Sequence, residues 1–479
     1  MADDLRTDLL IGGTWRAAAD GDRIDVQDPA TEAVIATVAS GGPADAREAA
    51  DAAASAQPGW AATAPRERGE VLRRAWALMA ERAEDLARLI TMENGKVLAE
   101  ARGEVAYAAE FFRWYSEEAV RLSGEVTTAP AGTNRILVLR QPVGIAYLVT
   151  PWNFPAAMAT RKIGPALAAG CAVVLKPASL TPLTALAIGA ILQEAGVPDG
   201  VVNVVPGRSA SAITAAVLEH PAVRKLSFTG STEVGKVLLE QAAQRVLKTS
   251  MELGGNAPFV VLADADLDAA VEGAMLAKMR HNGETCTAAN RFYVEAPVAE
   301  DFTRRLAEAM GRVRMGPGLD EGVGLGPMVD AATRDKVRDL VDAAVGHGAH
   351  AVVGGAAGEG PGFWYPATVL EGVAPDSPIL AEEIFGPVAP VVAVEDAEEA
   401  VARANDTALG LVSYLYTGDL RRGLALAERL ESGMVGLNRG LVSDPAAPFG
   451  GVKESGLGRE GGHEGLLDYT EAKYVATEW

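Results

Sequence analysis

The chain has 479 residues, of which 49% are hydrophobic and 22% charged, and carries a formal net charge of −21. At roughly 150 residues per structural unit it has material for two or three sizeable cores in a globular protein, which argues against a disordered or fibrous class. A surface this acidic repels nucleic-acid backbones and anionic lipid heads, so neither is an expected partner, and any anionic ligand needs positive charge focused locally.

Two cysteines, Cys171 and Cys286, are too few for a disulfide scaffold. With five scattered histidines they show no metal-ligand spacing, so no metal is expected. The start, Met1-Ala2-Asp3-Asp4, lacks the basic region of a signal peptide. The longest apolar stretch, Ile163 to Leu175, is interrupted by Pro165 and two glycines and is too short to span a bilayer. These features point to a cytoplasmic protein.

Residues 44–122 read as helices, because segments such as Arg66–Met92 repeat apolar residues at helical spacing. Residues 134–141 read as a short strand. An alternation follows: strand 144–150, helix 156–169, strand 172–175, helix 183–195, strand 201–205, helix 209–219, strand 225–229 and helix 231–243. Such alternation predicts parallel βαβ units. The style repeats from Pro258–Leu262 onward, with a helix from Leu267 and a strand at Arg291–Val294. The spacing therefore predicts an α/β chain with two open sheets that changes over near Met251–Asn256.

Several turns in this frame carry candidate chemistry. In Phe228-Thr229-Gly230-Ser231 a strand runs into a glycine turn that opens a helix, a place where backbone N–H groups favour a pyrophosphate. Its spacing is not that of the usual dinucleotide fingerprint. Lys176, at the end of another strand, is placed for ribose hydroxyls or a 2′-phosphate, with the small neutral Ser179 beside it. Glu252 stands between Met251 and Leu253 ahead of Gly254 and Gly255. A carboxylate in such apolar company has a raised pKa, which suits a general base. Cys286 lies in a polar, glycine-containing segment, whereas Cys171 lies among Ala, Gly and Val and reads as an inert core thiol. Between Pro151 and Pro155, Asn153 is placed to aim its amide at a developing oxyanion, with Trp152 and Phe154 as apolar walls. Each segment alone also reads as an ordinary turn or core residue.

Taken in order, Pro151–Pro155, Lys176–Ser179, Phe228–Ser231, Glu252–Gly255, Gly283–Cys286, Glu382–Pro387 and Pro448–Arg459 resemble the aldehyde dehydrogenase superfamily over nearly the whole chain. The resemblance implies two open α/β domains, cofactor-binding (1–120 and 142–251) and catalytic (252–447). It also implies a small β oligomerisation element (121–141 and 463–479) that joins a homodimer or homotetramer. It makes Cys286 the nucleophile, Glu252 the base that activates the deacylating water, and Asn153 with the Cys286 N–H the oxyanion hole. Trp152, Lys176, Ser179, Gly230, Ser231, Leu253, Glu383 and Phe385 fall at cofactor-binding positions. Where most relatives have Gln, this chain has Glu284, which is expected to point away from the thiol or to be paired.

The text around Arg161 and around Leu441–Ser443 is most similar to succinate-semialdehyde dehydrogenases. There Arg161, Arg280 and Ser443 grip the substrate's carboxylate, the two arginines flanking the entrance. The expected reaction is oxidation of a small carboxylate-bearing aldehyde, first of all succinate semialdehyde. Glutarate semialdehyde or a broader aliphatic range is the alternative. Ser179 and Lys176 favour NADP, with NAD the other choice. A cofactor-independent cysteine hydrolase would need an oriented histidine base, and His281 is the nearest in sequence. A binding protein that had merely kept the fold would have lost the nucleophile or the base.

Overall fold

The computed structural model describes residues 5–358 and 360–478; residues 1–4 and 479, at the outer ends of two expected domain stretches, lie outside the described residues. An eight-stranded sheet runs Thr14–Arg16, Leu9–Ile11, Val202–Val204, Ala172–Lys176, Ile145–Val149, Val223–Thr229, Lys248–Glu252 and Gly456–Leu457. Its five central strands are parallel, and the outer ones add antiparallel. Strands such as Ala172–Lys176 are buried along their whole length, as a parallel sheet covered on both faces requires.

Pro155 starts the helix Pro155–Ala169, and Gly170 ends it with φ 97°. This helix is buried all round, Arg161 and Lys162 included. Two cations in that position oblige the fold to supply counter-charge. Along one side lies the helix Leu98–Glu118.

The seven-stranded second sheet runs His350–Val353, Thr368–Glu371, Val388–Val394, Ala289–Glu295, Ala257–Val261, Val412–Tyr416 and Met434–Leu437. Only its first pairing is antiparallel. The changeover falls at Leu253–Asn256, inside the predicted segment. A third, antiparallel sheet joins Glu125–Thr128, Arg135–Pro142 and Thr470–Thr477, and its strands are largely exposed. The four strands between Leu9 and Ala39 have no counterpart in the sequence reading, because the first two span only three residues each and carry no periodicity. Among the described residues, no helix is long and apolar enough to cross a membrane.

Candidate active site

Strand register sets out one half of the site. Lys176 pairs opposite Val149, Val149 opposite Phe228, and Thr229 opposite Glu252. The turns that follow these four strands therefore stand in a row at the carboxyl edge of the parallel sheet, about 14 Å from first to last at ~4.8 Å per strand. Open α/β sheets bind ligands at this edge.

Lys176 is only 6% exposed and has no acidic partner among the described residues; burial alone pushes its ammonium down to about 8. Ser179 follows it, half-buried. Ser231 caps the helix Thr232–Ala243 by accepting the Val234 N–H. Gly230 donates its own N–H to the Glu252 carbonyl (3.1 Å), which leaves the Thr232 and Glu233 N–H groups of the first turn as the open donors. A Cβ at Gly230 would meet the Phe228 ring at 2.4 Å, so the glycine is required for packing. Leu253 turns its side chain into the core against Gly235, so only its main chain is left to meet a ligand. Glu383 accepts the Gly255 N–H (3.2 Å) and is pushed up to about 7 by burial. Phe385, with φ 55°, packs edge-on to Trp152 at 5.5 Å. An unpaired buried ammonium and an open helix start fit the anionic groups of a dinucleotide.

The second sheet delivers the candidate nucleophile, Cys286. Cys286 sits in the turn ahead of Ala289–Glu295, the strand that pairs with Ala257–Val261. A Cβ on Gly255 would come within 2.4 Å of the Cys286 carbonyl, so the glycine is what lets the Glu252 turn and the Cys286 turn touch. Cys286 is half-buried, whereas Cys171 is fully buried with its Sγ on the Tyr469 carbonyl. Enclosure pushes the Cys286 thiol up to about 12; Arg161 and Arg280 pull it down, while Glu383 and Glu252 push it further up. No group takes the Cys286 N–H among the described residues. Asn153 donates Nδ2 to the Glu284 carbonyl (3.0 Å) and accepts the Phe154 N–H, which ties its amide to the nucleophile turn.

Glu252 is 3% exposed, and neither carboxyl oxygen has a hydrogen-bond partner among the described residues. Burial, and then the charge of Glu460, hold it well above the usual carboxylate range against the pull of Arg161, Lys162 and Arg459. Just before the nucleophile turn, His281, Asn282 and Gly283 are all left-handed (φ 50°, 55° and 75°). At about 1–3 kcal/mol for each non-glycine residue, this strain needs anchors. Glu100 accepts the His281 N–H (2.7 Å), and Asn282 is held by the Pro327 carbonyl and the Gly326 N–H.

Glu284 is fully buried and its Oε1 accepts the Val329 N–H (3.0 Å). Burial raises its pKa well above the usual range, against the pull of the Val329 N–H, Asn282 and Lys96, so the site favours its protonated form where most relatives have an amide. His281 has no hydrogen-bond partner on either ring nitrogen among the described residues, and burial lowers its pKa well below the ordinary value. A hydrolase triad would need that ring oriented. Among the described residues, no group of three His, Cys, Asp or Glu side chains is arranged to hold a metal.

One of the two arginines differs from the sequence reading. Arg161 does not flank an entrance: it is 1% exposed, its Nε lies 2.5 Å from Glu460 Oε2, and its guanidinium lies over the Phe449 ring at 4.3 Å. Lys162 shares Glu460 through Oε1. The reason is the burial of the whole helix around it, which admits a cation only with a counter-charge. Arg280 is half-buried and stands over Phe154 at 5.1 Å. Burial raises the Tyr107 pKa, and the neighbouring Arg161, Arg280 and Ser443 pull it back down. Tyr107, Glu100, Lys162 and Glu460 were not singled out from sequence. On helix Leu98–Glu118 Tyr107 looks like one more core aromatic, and only the position of Glu460, directly after the quoted run ending at Arg459, pointed to it.

The aldehyde dehydrogenase family matches residues 15–475. The chain is 56% identical to a succinate-semialdehyde dehydrogenase of Paenarthrobacter nicotinovorans over 92% of its length and 98% of the relative's. It is 48% identical to a glutarate-semialdehyde dehydrogenase of Pseudomonas aeruginosa over 98% and 97% of the two chains. Its fold is similar to the crystal structure of an NADP-dependent enzyme of E. coli, with a TM-score of 0.98 at 47% identity, covering 100% of this chain and 99% of the other.

Proposed function

The chain belongs to the aldehyde dehydrogenase family, and from that premise we propose that it oxidises succinate semialdehyde to succinate, with NADP favoured over NAD. The observation that carries this reading is the meeting of Cys286, Asn153 and Glu252 where the two sheets join, with Arg161 and Arg280 acting on the same thiol.

Cys286 gives up its thiol proton to solvent, and the thiolate Sγ adds to the aldehyde carbon. The aldehyde oxygen becomes an oxyanion between Asn153 Nδ2–H and the Cys286 N–H. A bound nicotinamide cofactor supplies the hydride acceptor for that carbon, which leaves a thioester on Cys286. Glu252, ionised, takes a proton from water; the water oxygen bonds to the acyl carbon, the C–S bond breaks to return the Cys286 thiolate, and the acid departs. Lys176 and Ser179 would hold the adenine ribose, the helix start at Ser231 the pyrophosphate, and Glu383 the nicotinamide ribose. Phe385 would join Glu383 at the nicotinamide ribose, and Trp152, edge-on to Phe385 at 5.5 Å, would wall the site. Ser179 brings no charge to repel a 2′-phosphate and Lys176 attracts one, and the similar E. coli structure is of an NADP-dependent enzyme. The three-stranded sheet, with Val126, Leu139 and Tyr474 open, is the surface we assign to subunit assembly.

The relative named for glutarate semialdehyde supports a second reading. The two substrates differ by one methylene, a discrimination of about 1–3 kcal/mol. An initial-rate panel of succinate semialdehyde, glutarate semialdehyde and butanal with each cofactor tests both. The expected result is the highest kcat/KM for succinate semialdehyde with NADP, about a hundredfold above butanal, the worth of two charge-assisted bonds. Equal values for the acid-bearing and neutral aldehydes would overturn the reading.

A further inference from the structure

The helix Leu98–Glu118 runs beside the helix Pro155–Ala169 in the same direction. Near one end Glu104 Oε1 accepts the N–H groups of Ala156 and Ala157 at 2.9 and 3.2 Å. Further on, a Cβ at Gly164 would sit 3.0 Å from the Tyr115 ring and 3.6 Å from Phe112. Between these two points Tyr107 falls opposite Arg161. Glu100, one residue face earlier, holds the His281 N–H and so keeps Arg280 at the start of the same helix. Tyr107 is seven residues on from Glu100, on the same helical face, and therefore lies between the two arginines. Its ring is fixed edge-on against Phe111 at 4.9 Å.

Donor inventory decides what the hydroxyl does. A guanidinium has no acceptor, so towards Arg161 the Tyr107 oxygen can only accept, and its hydrogen stays available to Ser443 or to an incoming anion. A third cation here would add to the repulsion between Arg161 and Arg280; a phenol supplies a third donor without charge. We propose that Tyr107 donates its hydroxyl hydrogen to the substrate's carboxylate, joining Arg161, Arg280 and Ser443 in one grip, and so helps to set the preference for aldehydes that end in an acid. The proposal rests on the carboxylate-bearing substrate argued above.

Tyr107→Phe keeps the ring and its packing and removes only the donor. The readout is the ratio of kcat/KM for succinate semialdehyde to that for butanal. We expect it to fall about tenfold, the worth of one hydrogen bond to a charged group, with the loss in KM rather than kcat. An unchanged ratio overturns the role of Tyr107. Arg280→Ala is the comparator, since Arg161 also neutralises Glu460 and its loss would disturb the fold. If Arg280→Ala lowers the ratio and Tyr107→Phe does not, the phenol alone is excluded. If neither lowers it, the carboxylate-bearing substrate is excluded as well.

Discussion

Cys286 and Glu252 stand where two parallel sheets meet, and backbone ladders bring them there: Thr229 against Glu252 on one side, Ala257 against Ala289 on the other, with Gly255 allowing the two turns to touch. Arg161, Arg280 and Tyr107 are placed by side-chain packing: Arg161 against the buried Glu460 and Phe449, Arg280 over Phe154 and Tyr107 against Phe111. The first region has exact register but little charge compensation: Glu252 has no hydrogen-bond partner among the described residues, and its proton affinity is set by burial. The second is full of compensated charge. A change at the seam should therefore act on chemistry with little effect on stability, and a change among the helices should act on both.

The largest effect expected from that contrast is at Cys286. Cys286→Ala should lower kcat by about four orders of magnitude or more while the melting temperature stays within a degree or two. A matching loss of stability would mean the seam is packed like the helical pocket. Next comes Glu252→Gln, which should slow steady-state turnover by about 10²–10³ and leave a burst of reduced cofactor equal to the enzyme sites. As the proposed base Glu252 works ionised, so the deacylation rate should climb as pH rises through its raised pKa; in the variant that limb should be absent. An unchanged limb in a pre-steady-state pH series would assign it to another group.

The smallest effect is at Glu284. Burial raises its pKa, so the folded state favours the protonated form. Its contribution to stability is present below the ordinary carboxylate range and is lost as pH rises through the raised value. Glu284→Gln should match the wild type near pH 4 and gain on the order of a degree or two in Tm at alkaline pH. An equal shift at both pH values, followed by thermal denaturation, would show that Glu284 is not buried as a neutral acid.

The two regions were also unequally legible in the sequence. Motifs with turn chemistry, such as Phe228–Ser231 and Glu252–Gly255, lie at strand ends, where a few consecutive residues define both the backbone and the site. The alternation of strand and helix from Ile145 onward was readable for the same reason, since each element carries its own pattern. The helical pocket is different. Whether Arg161 meets Glu460, and whether Tyr107 meets Arg161, depends on how residues 299 and 54 positions apart are packed together, and no local pattern encodes that. Nor did local pattern reveal the three-residue strands at Leu9–Ile11 and Thr14–Arg16, which exist because the sheet edge at Val202–Val204 offers them partners.

The most direct measurement mixes Glu252→Gln with succinate semialdehyde and NADP, quenches within the burst, and maps the acylated peptide by mass spectrometry. A succinyl group on Cys286, accumulating to one per subunit and discharging slowly, is the predicted result. A burst with no acyl group on Cys286, or an acyl group on any other side chain, would contradict the convergence of thiol and base at the seam.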